Sequence, residues 1–188
     1  MNKRFEPISN FSNKFLVANT EMSQGTIFYR SVIYIIHHSF DGAFGLIINQ
    51  PLSNISQNLE GILSLDNTKL ELYLGGPVAT NKRFFLHSNE YNKNLLFQDN
   101  FSKVGLSTNS EILKDIENGQ GPENTLMMIG YSSWGSGKLE YEIENNFWLI
   151  SEVDENIIFS KNFSDKWELA LNKILGNKDR YIPFSTYC

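Results

Sequence analysis

The sequence predicts an α+β fold: a single domain spanning residues 1–188, with a mixed β-sheet and helices packed against it. Three observations carry this. The chain has 188 residues, of which 41% are hydrophobic and 20% charged, enough for one substantial core. Its first third pairs two apolar runs across an Asp-Gly turn, the signature of an antiparallel hairpin. Its second half alternates short apolar runs with helix-like stretches, which argues strand–helix units against a common sheet.

The elements follow in order. Lys14 to Ala18 reads as a short strand. Ser31 to His38 is rich in β-branched and aromatic residues and reads as a second. Ser39-Phe40-Asp41-Gly42 is the turn, and Ala43 to Asn49 the antiparallel partner, ended by Pro51. Gln57 to Leu63 carries a weak helical pattern. Glu71 to Leu74 is a strand stopped by Gly75-Gly76-Pro77, followed by strands at Arg83 to His87 and Val104 to Ser107. The Asn-rich stretch Ser88 to Asp99 between them reads as a long loop. Thr108 with Glu111 fits a capping box. It opens a helix with Ile112, Leu113 and Ile116 on its apolar face and Gly119 past its end. Thr125 to Tyr131 is nearly all apolar, a strand buried on both faces. Lys138 to Asn145 reads as a helix and Phe147 to Ile150 as a strand. Lys166 to Leu175 is a closing helix with Trp167, Leu169, Ala170, Leu171 and Ile174 inward, ended by Gly176. Irregular ends are expected at about residues 1–12 and 177–188.

Composition narrows the function classes. The longest apolar run, Val32 to Ile36, falls far short of the roughly 20 residues a membrane helix needs. No apolar segment follows Lys3-Arg4, which argues against a secretory signal. The single cysteine, Cys188, allows no intrachain disulfide and fits a reducing cytoplasm. The net charge of −5 and the dispersed basic residues disfavour direct nucleic-acid binding, which draws on clustered Lys and Arg.

Four kinds of chemistry compete with purely structural roles. No metal site is expected. His37 and His38 are strand neighbours and point to opposite faces, and no His-x-x-x-His or cysteine pair is present. A serine nucleophile is conceivable at Gly130-Tyr131-Ser132-Ser133-Trp134, after a buried strand and before a helix. The hydrolase elbow needs glycine where Trp134 stands, however, and all three histidines precede Ser132. The structural alternative has Ser132 satisfying backbone groups while Trp134 caps the core. Neither Gly75-Gly76-Pro77 nor Gly135-x-Gly137 makes a phosphate loop, and the glutamates at 140, 142 and 144 would repel an anion. Glu140 and Glu144 share one helical face, but the six acids and one lysine from Lys138 to Glu155 read as a solvated face, with Glu140 the better acid–base candidate because it lies nearest the turn. The weak catalytic candidates are therefore Ser132, His38, His87 and Glu140. Gly75, Gly76, Trp134 and Gly137 are candidates for ligand or partner binding, and no cofactor is expected.

Taken together, the chain resembles the AlgH/YqgE family of bacterial proteins. The matching pieces include Phe15-Leu16-Val17-Ala18, Arg30 to Ile35, His38, Asp41-Gly42-Ala43-Phe44-Gly45 through Pro51, and Tyr73-Leu74-Gly75-Gly76-Pro77-Val78. They continue with Leu86-His87, Gly119-x-Gly121-Pro122, Lys166-Trp167 and the most distinctive run, Gly130-Tyr131-x-x-Trp134-x-x-Gly137-x-Leu139-Glu140-x-Glu142. Gln24-Gly25 and Lys138 depart from the family's usual residues. The resemblance implies a strongly curved, partly barrel-like mixed sheet flanked by helices. It implies no activity, although members carry names suggesting transcriptional regulation. With no helix-turn-helix signature in the sequence, the expected function is a non-enzymatic cytoplasmic protein that binds a protein or small-molecule partner and acts on transcription indirectly. A hydrolase working near Ser132, Glu140 and His38 is the alternative, and a direct DNA-binding regulator the least favoured.

Overall fold

The computed structural model describes residues 10–52 and 70–176; the weak helix expected over 57–63, the tail beyond 176 and Cys188 lie outside them. The strands are β1 (Lys14–Ala18), β2 (Val32–Ser39), β3 (Gly42–Ile47), β4 (Leu72–Leu74), β5 (Val78–Ser88), β6 (Leu95–Asp99), β7 (Val104–Ser107), β8 (Thr125–Gly135) and β9 (Trp148–Glu152). The helices are α1 (Thr20–Ser23), α2 (Glu111–Glu117), α3 (Lys138–Glu144), α4 (Glu155–Ile158) and α5 (Lys166–Gly176). The strands form one sheet in the order β6-β7-β5-β8-β3-β2-β1-β9, with β4 paired to β8 off that path. Every pairing between these strands is antiparallel except β4 with β8, so the sheet is mixed.

The sheet is strongly curled. The Tyr34 hydroxyl on β2 lies 3.2 Å from the Ser102 hydroxyl in the β6–β7 turn, although β3, β8 and β5 separate β2 from β7 in the sheet. Only curvature brings those positions together. Inside the curl, Phe15, Val17, Tyr34, Ile36, Leu46, Leu86, Leu106 and Met128 form a core closed by Ile157 and Ile158 of α4 and Ala170 of α5. Alternate residues of the same strands face outward, and two smaller clusters cover them. One joins Leu16, Ile33, Ile35 and Ile47 to Trp134, Trp148 and Leu139 of α3. The other joins Phe85, Met127 and Ile129 to Ile112 and Leu113 of α2. A two-sided core explains why β2 reads as an unbroken apolar run rather than an alternating one. Among the described residues no helix is long and apolar enough to cross a membrane.

Four local expectations are corrected. β8 does not stop at Tyr131 but runs through Ser132, Ser133 and Trp134 to Gly135. On one side it passes from β4, at Met127 to Ile129, to β3, at Ser132 to Gly135. Gly130, at φ +66°, sits at the handover, so the strand absorbs a left-handed residue without ending. The stretch expected as a long loop contains β6, whose half-buried Leu95, Phe97 and Asp99 alternate with exposed Leu96 and Gln98 on a sheet edge. The asparagines are confined to the turn before it, where the Tyr91 hydroxyl donates to Asp115 at 2.8 Å. The Thr108 capping box is not formed. The α2 N-cap is Ser110, and Asn109 Oδ1 accepts from the Glu111 amide instead. On α5, Leu169 points to solvent, and buried Lys166 lies on the inward stripe with Trp167, Ala170 and Ile174. Stripe positions recur every three to four residues, which leaves 169 out of phase.

Candidate functional site

The β2–β3 hairpin, the end of β8 and α3 meet at one corner of the sheet. Gly42 pairs with Gly135 and Ala43 with Trp134, so the Asp-Gly turn lies beside the β8–α3 connection. The Ser136 hydroxyl donates to the Phe40 carbonyl at 2.6 Å and ties the two together. Gly137 at φ +72° then turns the chain into α3, a left-handed conformation that glycine adopts at little cost.

α3 makes two buried polar connections. The first joins His38 and Glu140, with Nε2 and Oε1 2.9 Å apart; the imidazole is 2% exposed and the carboxylate side chain 23%. The Phe11 amide donates to the other ring nitrogen, Nδ1, at 3.3 Å. That leaves the ring proton on Nε2, where it is donated to Glu140. A general base needs a free lone pair directed at a substrate. On His38 the lone pair faces a backbone amide, so this pair holds the segment before β1, β2 and α3 together. The second connection is Glu142. Its Oε2 accepts from both Trp134 Nε1 at 2.7 Å and Trp148 Nε1 at 2.8 Å, and the two indoles pack edge to face at 6.2 Å.

The other sequence candidates lie elsewhere. Ser132 is buried within β8, and its hydroxyl donates to the Gly75 carbonyl at 3.4 Å. Gly75 and Gly76 are placed where β4 runs out against β8. A Cβ on Gly75 would collide with the Gly130 carbonyl, and one on Gly76 with the Tyr131 backbone. Their role is close backbone packing. His87 is fully buried between β7 and Tyr91. Its Nδ1 donates to the Ser88 carbonyl at 2.9 Å, so Nε2 accepts from the Ser107 hydroxyl at 3.0 Å, and burial lowers its pKa below the usual histidine value. Gly105 leaves the space its ring fills. The structure thus brings together His38, Glu140, Trp134 and Gly137, and leaves Ser132, His87, Gly75 and Gly76 in packed backbone.

Two buried polar groups are missed by sequence reasoning. In the sequence, Glu142 reads as part of a solvated acidic face. The signal for it is the pair of tryptophans, since a buried indole N–H needs an acceptor. Lys166, at the start of α5, is fully buried and donates to the Ile48 and Ile158 carbonyls at 2.9 and 2.7 Å, above the Tyr73 ring. Burial lowers its pKa to about 8. Among the described residues no three His, Cys, Asp or Glu side chains are placed to hold a metal ion.

Comparison with known proteins adds the ancestry of this arrangement. A family model described as AlgH-like matches residues 15–179. A UPF0301 protein of Rickettsia akari is 41% identical over 178 residues, covering 92% of each chain. A second, from Rickettsia canadensis, is 40% identical over 171 residues, covering 88% of this chain and 89% of that protein. Among solved structures, the solution structure of the AlgH protein from Pseudomonas aeruginosa superposes with a TM-score of 0.71 at 28% identity, over 97% of this chain and 98% of that one. A crystal structure of a Corynebacterium diphtheriae protein, at 21% identity and a TM-score of 0.63, shares the fold.

Proposed function

The chain belongs to the AlgH-like family, whose members' names fix no biochemical activity, and from its own geometry we propose a non-enzymatic protein that binds a partner at the corner formed by the β2–β3 turn and α3. One observation carries this reading. The polar groups at that corner bond inward, to ring nitrogens and indoles, while its outer surface exposes two large aromatic side chains, Phe40 at 75% and Tyr141 at 55%. Aromatic side chains that gain burial on association are the residues that most often dominate binding energy. The site of action is the cytoplasm, and any effect on transcription runs through the partner, in keeping with the net charge of −5.

A photo-crosslinking residue at position 141, compared with one at the exposed Leu175 of α5, tests the reading in cells. A discrete adduct at 141 that is missing at 175 is expected. Equal adducts at both, or none at 141, would count against the corner as a binding face. Turnover of acyl esters by the wild-type protein, abolished in His38→Gln, would instead favour the hydrolase.

A further inference from the structure

The corner also carries a charge pattern that selects among partners. Along α3, at about 100° per residue, Leu139 faces the core while Tyr141 and Glu144 face solvent. Glu140 lies on the flank toward the hairpin, where it meets His38. Exposed Asp41 adjoins Phe40 in the turn, and Glu140 and Glu144, four residues apart, lie together on one flank of Tyr141 on the helix. The helix itself carries one cation, Lys138, and its ammonium is already engaged, 3.6 Å from Glu142 and 5.2 Å from the centre of the Tyr141 ring. His38 holds its partner from below and contributes no outward donor.

Resting on the partner-binding reading above, we infer that the occupant of this corner is a basic peptide segment of another protein, with arginine or lysine alternating with an apolar side chain. Its cations meet the carboxylates, while its apolar groups cover Phe40 and Tyr141. Acidic surroundings steer a basic segment toward the face and repel an acidic one, and the aromatic rings supply the contact area. An arginine can in addition stack on the tyrosine ring.

The test uses the full chain and a short fluorescein-labelled peptide repeating Arg-Leu-Ser, with its Glu-Leu-Ser counterpart, read by fluorescence anisotropy. Circular dichroism checks that each variant is folded. The basic peptide should bind at least roughly tenfold more tightly than the acidic one. Binding should weaken by about tenfold in Phe40→Ser, Tyr141→Ser and the double variant Asp41→Asn with Glu144→Gln. Glu117→Gln, an exposed carboxylate of α2, should leave it unchanged. Weakening as large in Glu117→Gln as in the double variant would reduce the effect to overall acidity and overturn the proposal. No binding of the basic peptide would overturn it too. Equal binding of the acidic peptide, lost in Phe40→Ser and Tyr141→Ser, would overturn the charge preference and leave the binding face standing. Absence of a crosslinked adduct at 141 would instead remove the face itself.

Discussion

Removing the Glu142 carboxylate should be among the most costly changes on the surface of α3. Its Oε2 is the acceptor for two indole N–H groups, at 2.7 and 2.8 Å, and both tryptophans are buried. Glu142→Ala leaves two donors without an acceptor, and each buried unsatisfied donor costs about 1–3 kcal/mol. The Glu142 side chain is 20% exposed, so water entering the space it vacates recovers part of the loss. The lower half of the range then applies, roughly 2–4 kcal/mol in all. An exposed glutamate on a helix would cost a few tenths, about 0.2–0.5 kcal/mol. Urea unfolding followed by far-ultraviolet circular dichroism separates the two cases without depending on tryptophan emission. A cycle with Trp134→Phe sharpens the test: in that background one of the two donors is gone, and the cost of Glu142→Ala should fall by about half. A cost below about 0.5 kcal/mol, or one unchanged by Trp134→Phe, would refute the claim that the carboxylate exists to serve the indoles.

Three further outcomes follow from the buried groups and the strand handover. Lys166 has a pKa of about 8 when folded against 10.5 ordinarily, so the unfolded chain binds the extra proton in between. Stability should therefore rise from pH 8 toward 10, by at most roughly 3 kcal/mol. Urea titrations at both pH values should show that rise lost in Lys166→Met, and a variant that keeps it would sink the assignment. His87 is shifted the other side of neutrality: burial holds it below 6.5, so its contribution is complete above that value and lost as pH falls through it. Melting curves from pH 7 to 5 should drop less steeply for His87→Gln than for the wild type, and parallel curves would contradict this. Gly130→Ala forces a Cβ into the Gly76 carbonyl at φ +66°, and should cost well over about 1 kcal/mol, the usual strain of such a backbone. A soluble, equally stable variant in thermal melts would show that β8 can re-route there.

Much of the fold is legible in the sequence because the local signals are strong. The hairpin lies where Asp41-Gly42 places it, pairing Ser39 with Gly42 and His38 with Ala43. The apolar run at 125–131, the α2 stripe and the break at Gly119 also hold. What escapes depends on contacts distant in sequence. Nothing near Gly130 says whether a glycine ends a strand or is absorbed in it; the β3 partner decides that. Nothing near Lys166 says that the Ile48 carbonyl just past β3 and the Ile158 carbonyl of α4 will receive its ammonium. The curl itself emerges from pairing order, and the link from Tyr34 to Ser102 spans 68 residues. His38 and Glu140, 102 residues apart, are both candidates on sequence grounds, yet only the Phe11 amide on Nδ1 shows how the ring is used.

That last contact bears on how the distinctive run from Gly130 to Glu142 should be understood. Its polar side chains largely bond inward, with Ser132 held to the β4 end, Ser136 to the hairpin, Glu140 to the histidine and Glu142 to the indoles. Its glycines permit a close strand approach at 130 and a left-handed helix entry at 137. A stretch so occupied with fixing one corner makes that corner rigid, and rigidity lowers the entropy lost when a partner docks. The outward residues, Tyr141 on the helix and Phe40 on the turn it clamps, are then presented on a fixed frame, and disrupting an inward bond should weaken partner binding even though the bond itself touches no partner.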